Sequence, residues 1–257
     1  MSSQHHGLHS KLSLGGLLIS LGIIYGDIGT SPLYVMKAIL GLDFAINKDL
    51  VLGGISLVFW TLTLQTTIKY VLITLSADNN GEGGIFALYA LVKRTKIKWL
   101  IIPAIIGGSA LLADGIITPP ISVSSAVEGI RTFYPEINTI PIVIAILVIL
   151  FTIQQFGTKL VGKFFAPIML LWFLMLGVVG TIQIIGNYEV LKAINPYYAY
   201  KILMADNGIN PEGFFILGFV FLCTIGAEAL YSDMGHCGRK NIRISWIIVK
   251  TTIVLSY

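Results

Sequence analysis

The sequence predicts an all-α integral membrane protein, and three observations predict it. Only 12% of the 257 residues are charged and the mean hydropathy is +0.84, where a soluble domain carries about 25% charge. Apolar runs recur that are long enough to cross about 30 Å of hydrocarbon as helices. Three carboxylates, Asp27, Asp114 and Glu228, fall near the middles of three of those runs. A charge at that depth costs at least about 2.5–3.5 kcal/mol by insertion scales, so three of them point to function. The net charge of +4 is scattered among loops and forms no single patch, which argues against nucleic acid as a partner.

Residues 1–11 read as a short cytoplasmic lead, with one lysine and no cleavage-site pattern. His5, His6 and His9 in it read as a disordered polar tail, not a metal site. Segment one, 12–42, holds Gly22-Ile-Ile-Tyr-Gly-Asp-Ile-Gly-Thr-Ser-Pro-Leu-Tyr34. Pro32 removes a backbone donor, and Gly22, Gly26 and Gly29 weaken the helix further. The expectation is a helix broken at mid-membrane, with freed carbonyls and N–H groups turned into a cavity. A loop with Asp43, Lys48 and Asp49 leads to segment two, 50–75. Its Thr61, Thr63, Thr66 and Thr67 can bond back to their own helix and need no functional account.

Next comes Ala77-Asp-Asn-Asn-Gly-Glu-Gly-Gly-Ile-Phe-Ala-Leu-Tyr89, in which Asn80-Gly81 and Gly83-Gly84 signal turns. It lacks the GxxxxGK[ST] pattern of a phosphate cradle, so a structural turn or a gate contact is expected. A short amphipathic helix at 85–92 leads into the basic run Lys93-Arg-Thr-Lys-Ile-Lys98. Segment three, 99–129, carries Asp114 and Pro119-Pro120; the proline pair either exposes carbonyls at a site or only kinks the helix. Segment four is 140–156, followed by a loop with Lys159 and Lys163. Segment five is 164–185. The stretch 187–210 is polar and tyrosine-rich and reads as an external loop. Segment six is 211–234, and a basic loop with Arg239, Lys240 and Arg243 follows. Segment seven, 244–257, is too short to cross the bilayer at 1.5 Å per residue, so the sequence looks truncated inside a helix. Cys223 and Cys237 do not suggest a disulfide framework.

Loop charge sets an orientation. With the N-terminus inside, inner loops hold Lys11, Lys93, Arg94, Lys96, Lys98, Lys159, Lys163, Arg239, Lys240 and Arg243; outer loops hold only Lys48, Arg131, Lys192 and Lys201. Spacing then groups the buried polar residues. Asp114, Thr118, Ser122 and Ser125 share one helix face, Thr224 and Glu228 share another, and Tyr34 follows Asp27 by seven. Lys37, Lys69 and Lys250 are the lysines nearest the segments, none clearly at mid-depth. Hard oxygen ligands without a lysine or arginine partner suit an alkali cation, and no His or Cys set favours a transition metal. A buried carboxylate with no fixed partner can also carry a proton; Asp27 and Glu228 are the candidates. Back-bonding to the helix is the competing account of Thr118, Ser122, Ser125 and Thr224. Glu128 reads equally as a cation-attracting mouth or a solvated rim, and Asp233 and His236 read as a solvated loop.

At these residues the chain resembles the potassium uptake permease family (KUP/HAK/KT). The matching stretches are Tyr25-Gly-Asp-Ile-Gly-Thr-Ser-Pro-Leu-Tyr34, Ala77-Asp-Asn-Asn-Gly-Glu-Gly-Gly-Ile-Phe-Ala-Leu88, Ala113-Asp-Gly-Ile-Ile-Thr-Pro-Pro-Ile-Ser-Val123, Ser125-Ala-Val-Glu-Gly129 and Gly226-Ala-Glu-Ala-Leu-Tyr-Ser-Asp-Met-Gly-His236. The resemblance implies the amino acid–polyamine–cation superfamily (LeuT-like) fold of inverted five-helix repeats, with segments one and six broken. Only the N-terminal part would be present, a transmembrane domain at 12–257, without the C-terminal helices and cytosolic domain. It implies potassium:proton symport at the plasma membrane, with K⁺ as transported ion, H⁺ as coupling ion and no cofactor. It implies a K⁺ site of Asp27, Tyr34, Asp114, Thr118, Ser122, Thr224 and Glu228, homodimers in the full-length protein, and a cytosolic nucleotide as candidate regulator. Pro120 stands where alanine is expected in many relatives. Rival readings are an amino-acid transporter on the same scaffold, which Asp27 at the break disfavours, and a passive channel, for which no TVGYG-like filter is present. An intramembrane enzyme finds no HExxH or GxSxG.

Overall fold

The computed structural model describes residues 12–41, 47–94, 97–155, 158–205 and 208–257. The N-terminal lead with its three histidines, Asp43 and Lys96 lie outside the described residues. Helix dominates; the only strands among the described residues are a two-residue hairpin pairing Met204–Ala205 with Gly208–Ile209. Among the described residues four helices are long and apolar enough to cross a membrane, and a bent pair taken as one span makes a fifth.

That bent pair is segment one. Leu14–Ile23 and Gly26–Leu40 meet at 66°, and Tyr25 at the joint leaves the helical region with φ −97° and ψ 14°. The freed carbonyls are mostly taken up locally, contrary to the expectation that they turn into a cavity. Pro32 cannot donate to Ile28 O, and the Ser31 hydroxyl donates to it instead at 2.8 Å. Thr30 Oγ1 donates to Asp27 O at 2.9 Å, and Trp172 Nε1 of segment five reaches Gly29 O at 2.8 Å. The break is therefore braced by hydroxyls and one indole.

Segment two runs over Lys48–Ser76, with a π-helical stretch at Leu62–Ile73. Thr67 Oγ1 donates to Leu62 O and Thr74 Oγ1 to Lys69 O, five residues back in each case. Thr63 also bonds back, to Phe59 O. Thr66 does not: its hydroxyl is buried without a partner. Thr63 and Thr67 additionally accept from Lys250 Nζ and Trp246 Nε1 of segment seven, each at 3.0 Å. These threonines thus join two segments, a role the spacing alone did not give them.

Segment three is continuous over Lys98–Thr132, and Pro119-Pro120 sit inside its α-helix without interrupting it. Only 11% of its most apolar window is buried in the protein, against 50% for segment two. Its outer side therefore faces surroundings that must themselves be apolar. Segment four is a helix at Thr139–Gln154, shorter than a full span. Segment five begins at Thr158, so the stretch predicted as a loop around Lys159 and Lys163 is helical.

The predicted external loop at 187–210 is structured. It folds as a 3₁₀ turn at Tyr188–Ile194 and a helix at Pro196–Leu203 that packs on segment two. Asn187 and Asn195 cap these pieces by accepting from Glu189 N and Tyr197 N. Gly53 permits the packing, because a Cβ there would lie 2.2 Å from Ile202. Segment seven begins at Arg239, not Ile244, and runs to Ser256; the basic loop is its first turns. The core lies between segments one, two, five, six and seven. Tyr25 stacks on Trp246 with centroids 6.1 Å apart, and its hydroxyl donates to Ile242 O at 2.8 Å. Cys223 and Cys237 are both buried and free.

Candidate ion site

Segment six supplies the second break. Helix Pro211–Val220 tightens to 3₁₀ at Phe221–Thr224 and ends where Ile225 turns extended, with φ −57° and ψ 134°. Gly226 follows at φ +83°, a left-handed conformation that a Cβ would strain. Helix resumes at Ala229. The two breaks lie against each other: a Cβ on Gly226 would come within 2.6 Å of Asp27 Cβ. Both departures from helix therefore meet at one place.

Asp114 comes to that place from segment three. It lines one cavity with Thr224 and Glu228, near enough for the Asp114 and Glu228 carboxyl groups to interact. Asp27 lies close enough to Asp114 for their charges to interact. Thr118 Oγ1 donates to Asp114 Oδ1 at 2.8 Å. Ser122 is shared differently, with its hydroxyl 3.1 Å from Thr30 Oγ1. Tyr34 Oη is buried without a hydrogen-bond partner, near Thr30, Asp27 and Asp114. Thr224 Oγ1 donates to Phe221 O at 2.8 Å, so it bonds back while its lone pairs stay available.

All seven sequence-predicted residues thus lie around the two breaks. They do not close on a single point. Among the described residues no three His, Cys, Asp or Glu side chains form a metal-holding group. No ion pair among the described residues involves Asp27, Asp114 or Glu228. Two facing carboxyl groups can hydrogen-bond only when one holds a proton, because an ionised carboxylate is an acceptor alone.

A cavity of about 550 Å³ reaches Asp114, Thr224 and Glu228. Lys69 and Tyr70 of segment two also line it, as do Gly84, Tyr231 and Ser232. Here the glycine-rich turn proves to be a docking piece. A Cβ on Gly83 would lie 2.0 Å from Tyr231 O, and Tyr231 Oη donates to Ala77 O at 2.5 Å. The turn needs positive φ at Asn80, Gly81 and Gly84, and Asp78 Oδ2 accepts from Gly81 N. At the far end of segment three, Glu128 pairs with Lys37 of segment one at 2.5 Å, both exposed. His236 Nδ1 lies 3.9 Å from Asp233. Thr30 is a site residue that sequence spacing did not single out. Thr30 sits inside the first break, and its hydroxyl beside a proline was the available signal.

Interrupted apolar helices with half-buried acidic groups beside the interruptions fit a multi-pass membrane protein. Residues 14–257 match the family described as K+ potassium transporter integral membrane domain, and the chain belongs to that potassium uptake permease (KUP/HAK/KT) family, one of transporters and not of enzymes. It is similar to proteins called probable potassium transport system protein Kup. The one from Flavobacterium johnsoniae is 79% identical over 260 residues, covering 100% of this chain and 39% of that protein. The one from Flavobacterium psychrophilum is 77% identical over 256 residues, covering 100% and 38%. The one from Cytophaga hutchinsonii is 65% identical over 256 residues, covering 99% and 39%. The chain thus spans about two fifths of the length of these relatives. No solved structure matches it.

Proposed function

We propose that this chain forms the ion-binding part of a potassium carrier that takes up K⁺ together with H⁺. The observation that carries the reading is the Asp114–Glu228 pair at the junction of the two breaks, with no described lysine or arginine paired to either. One proton shared by the pair leaves one negative charge, and a monovalent cation balances it. Thr224, the Thr118 hydroxyl and Tyr34 Oη supply neutral oxygens, while Asp27 adds attraction from the opposite break. An oxygen set of low net charge suits K⁺ better than a divalent ion. Moving the proton on or off the pair changes its charge and so its hold on K⁺, which is the physical basis of coupling.

The scaffold reading is the LeuT-like one, with segments one and six as paired broken helices and the N-terminus cytoplasmic. The breaks and the loop charges support it. The relatives' potassium transport names support the substrate. The test is K⁺ uptake into proteoliposomes holding the full-length protein, with internal pH recorded. The expected result is K⁺ entry with internal acidification; K⁺ entry without acidification turns the reading into a channel or uniporter.

A further inference from the structure

The cavity that reaches the carboxyl pair is not lined by anions alone. Lys69 lines it from the π-helical part of segment two, 5.3 Å from the Tyr70 ring centroid. No ion pair among the described residues involves Lys69. Glu228 and Asp114 share this cavity with Thr74, Gly84 and Ser232, and Lys69 stands near the end of segment two that finishes at Ser76. By the loop-charge rule that end is cytoplasmic. A cation leaving the carboxyl pair for the cytoplasm shares this space with a fixed ammonium.

We propose that Lys69 is a specificity-determining residue for the direction of flow: its ammonium opposes re-entry of cytoplasmic cations into the cavity. This deepens the carrier reading and rests on it. The carboxyl pair binds the cation that arrives from outside, and the ammonium lowers the cation concentration that the pair meets from inside. A single charge near a narrow, partly apolar route changes local ion concentration about two- to tenfold. The cation-rich cytoplasm makes that factor matter, because internal K⁺ otherwise refills the site before the carrier returns. The π-helical register suits the role, since π turns reposition side chains along an otherwise straight helix.

Two measurements on the full-length protein test this. In proteoliposomes, Lys69→Gln is expected to lower the internal K⁺ concentration that half-inhibits uptake by about two- to tenfold. Lys69→Arg, which keeps the charge, is expected to match wild type, and uptake into K⁺-free vesicles should persist in both. Unchanged inhibition in Lys69→Gln, or an arginine variant that behaves like glutamine, overturns the proposal. The second measurement needs no transport. A cysteine placed at Ser232 is labelled with cationic and anionic thiol reagents of equal size, against a background in which Cys223 and Cys237 are buried. The cationic-to-anionic rate ratio should rise about two- to tenfold on adding Lys69→Gln; an unchanged ratio sinks the proposal. A ratio that shifts in a protein that moves no K⁺ upholds the charge effect and removes the carrier reading instead.

Discussion

Gly226 and Asp27 hold the two helix breaks in contact: a Cβ on Gly226 would stand 2.6 Å from Asp27 Cβ. Gly226 also sits at φ +83°. Two separate demands, backbone conformation and close approach, therefore fall on one residue. Gly226→Ala should cost about 1–2 kcal/mol for the left-handed backbone alone, and more for the overlap. Thermal unfolding of the purified protein and K⁺ uptake should both fall. An alanine variant that keeps both would show that the breaks can separate freely.

The carboxyl pair predicts large and local losses. Asp114→Asn removes the charge beside Glu228 while its amide oxygen can still accept from Thr118. A charged hydrogen-bonding group is worth about 1.5–3 kcal/mol, so K⁺ affinity should fall about 10- to 100-fold with expression intact. Uptake kinetics over a range of external K⁺ check this, and unaltered affinity removes Asp114 from the site.

At the C-terminal end of segment three the expectation is the reverse. Lys37 and Glu128 are paired but exposed, and exposed ion pairs contribute about 0–1 kcal/mol. Glu128→Gln should leave both thermal stability and uptake within about twofold of wild type. A tenfold loss of uptake at preserved stability would mark Glu128 as a mouth residue that draws in cations.

The Tyr25 hydroxyl donates to Ile242 O and accepts from Ser245 Oγ at 3.1 Å, inside a packed core. Tyr25→Phe leaves the ring stacked on Trp246 and removes these two bonds, while Ser245 Oγ still donates to Asn241 O at 2.8 Å, so the cost is about 0.5–1.5 kcal/mol. The melting temperature should drop while K⁺ affinity stays put. A shift in affinity instead would place Tyr25 in the ion site.

Much of this arrangement was legible because membrane burial makes polar residues conspicuous. Asp27, Asp114 and Glu228 stood out by their cost in lipid, and Pro32 with its glycines marked the first break. The spacing of Asp114 and Thr118 gave their contact directly. Other features depend on tertiary packing that no periodicity encodes. The freed carbonyls of the first break could face a cavity or be capped, and only folding shows Ser31, Thr30 and Trp172 capping them. The 187–210 stretch read as loop because it is polar and tyrosine-rich, yet asparagine caps and a groove at Gly53 fold it. The start of segment seven was misplaced because Arg239, Lys240 and Arg243 look like loop. Arg243 in fact donates to Val71 O and Leu72 O of segment two, so its charge is accommodated on a helix.

The most direct test of the shared-proton pair is internal pH during K⁺ uptake by full-length Glu228→Gln beside wild type. Glutamine keeps the shape but cannot give up a proton. The account predicts that wild-type vesicles acidify as K⁺ enters and that the variant loses this coupling, with any residual K⁺ entry leaving internal pH flat. Acidification that still tracks K⁺ entry in the variant would contradict it.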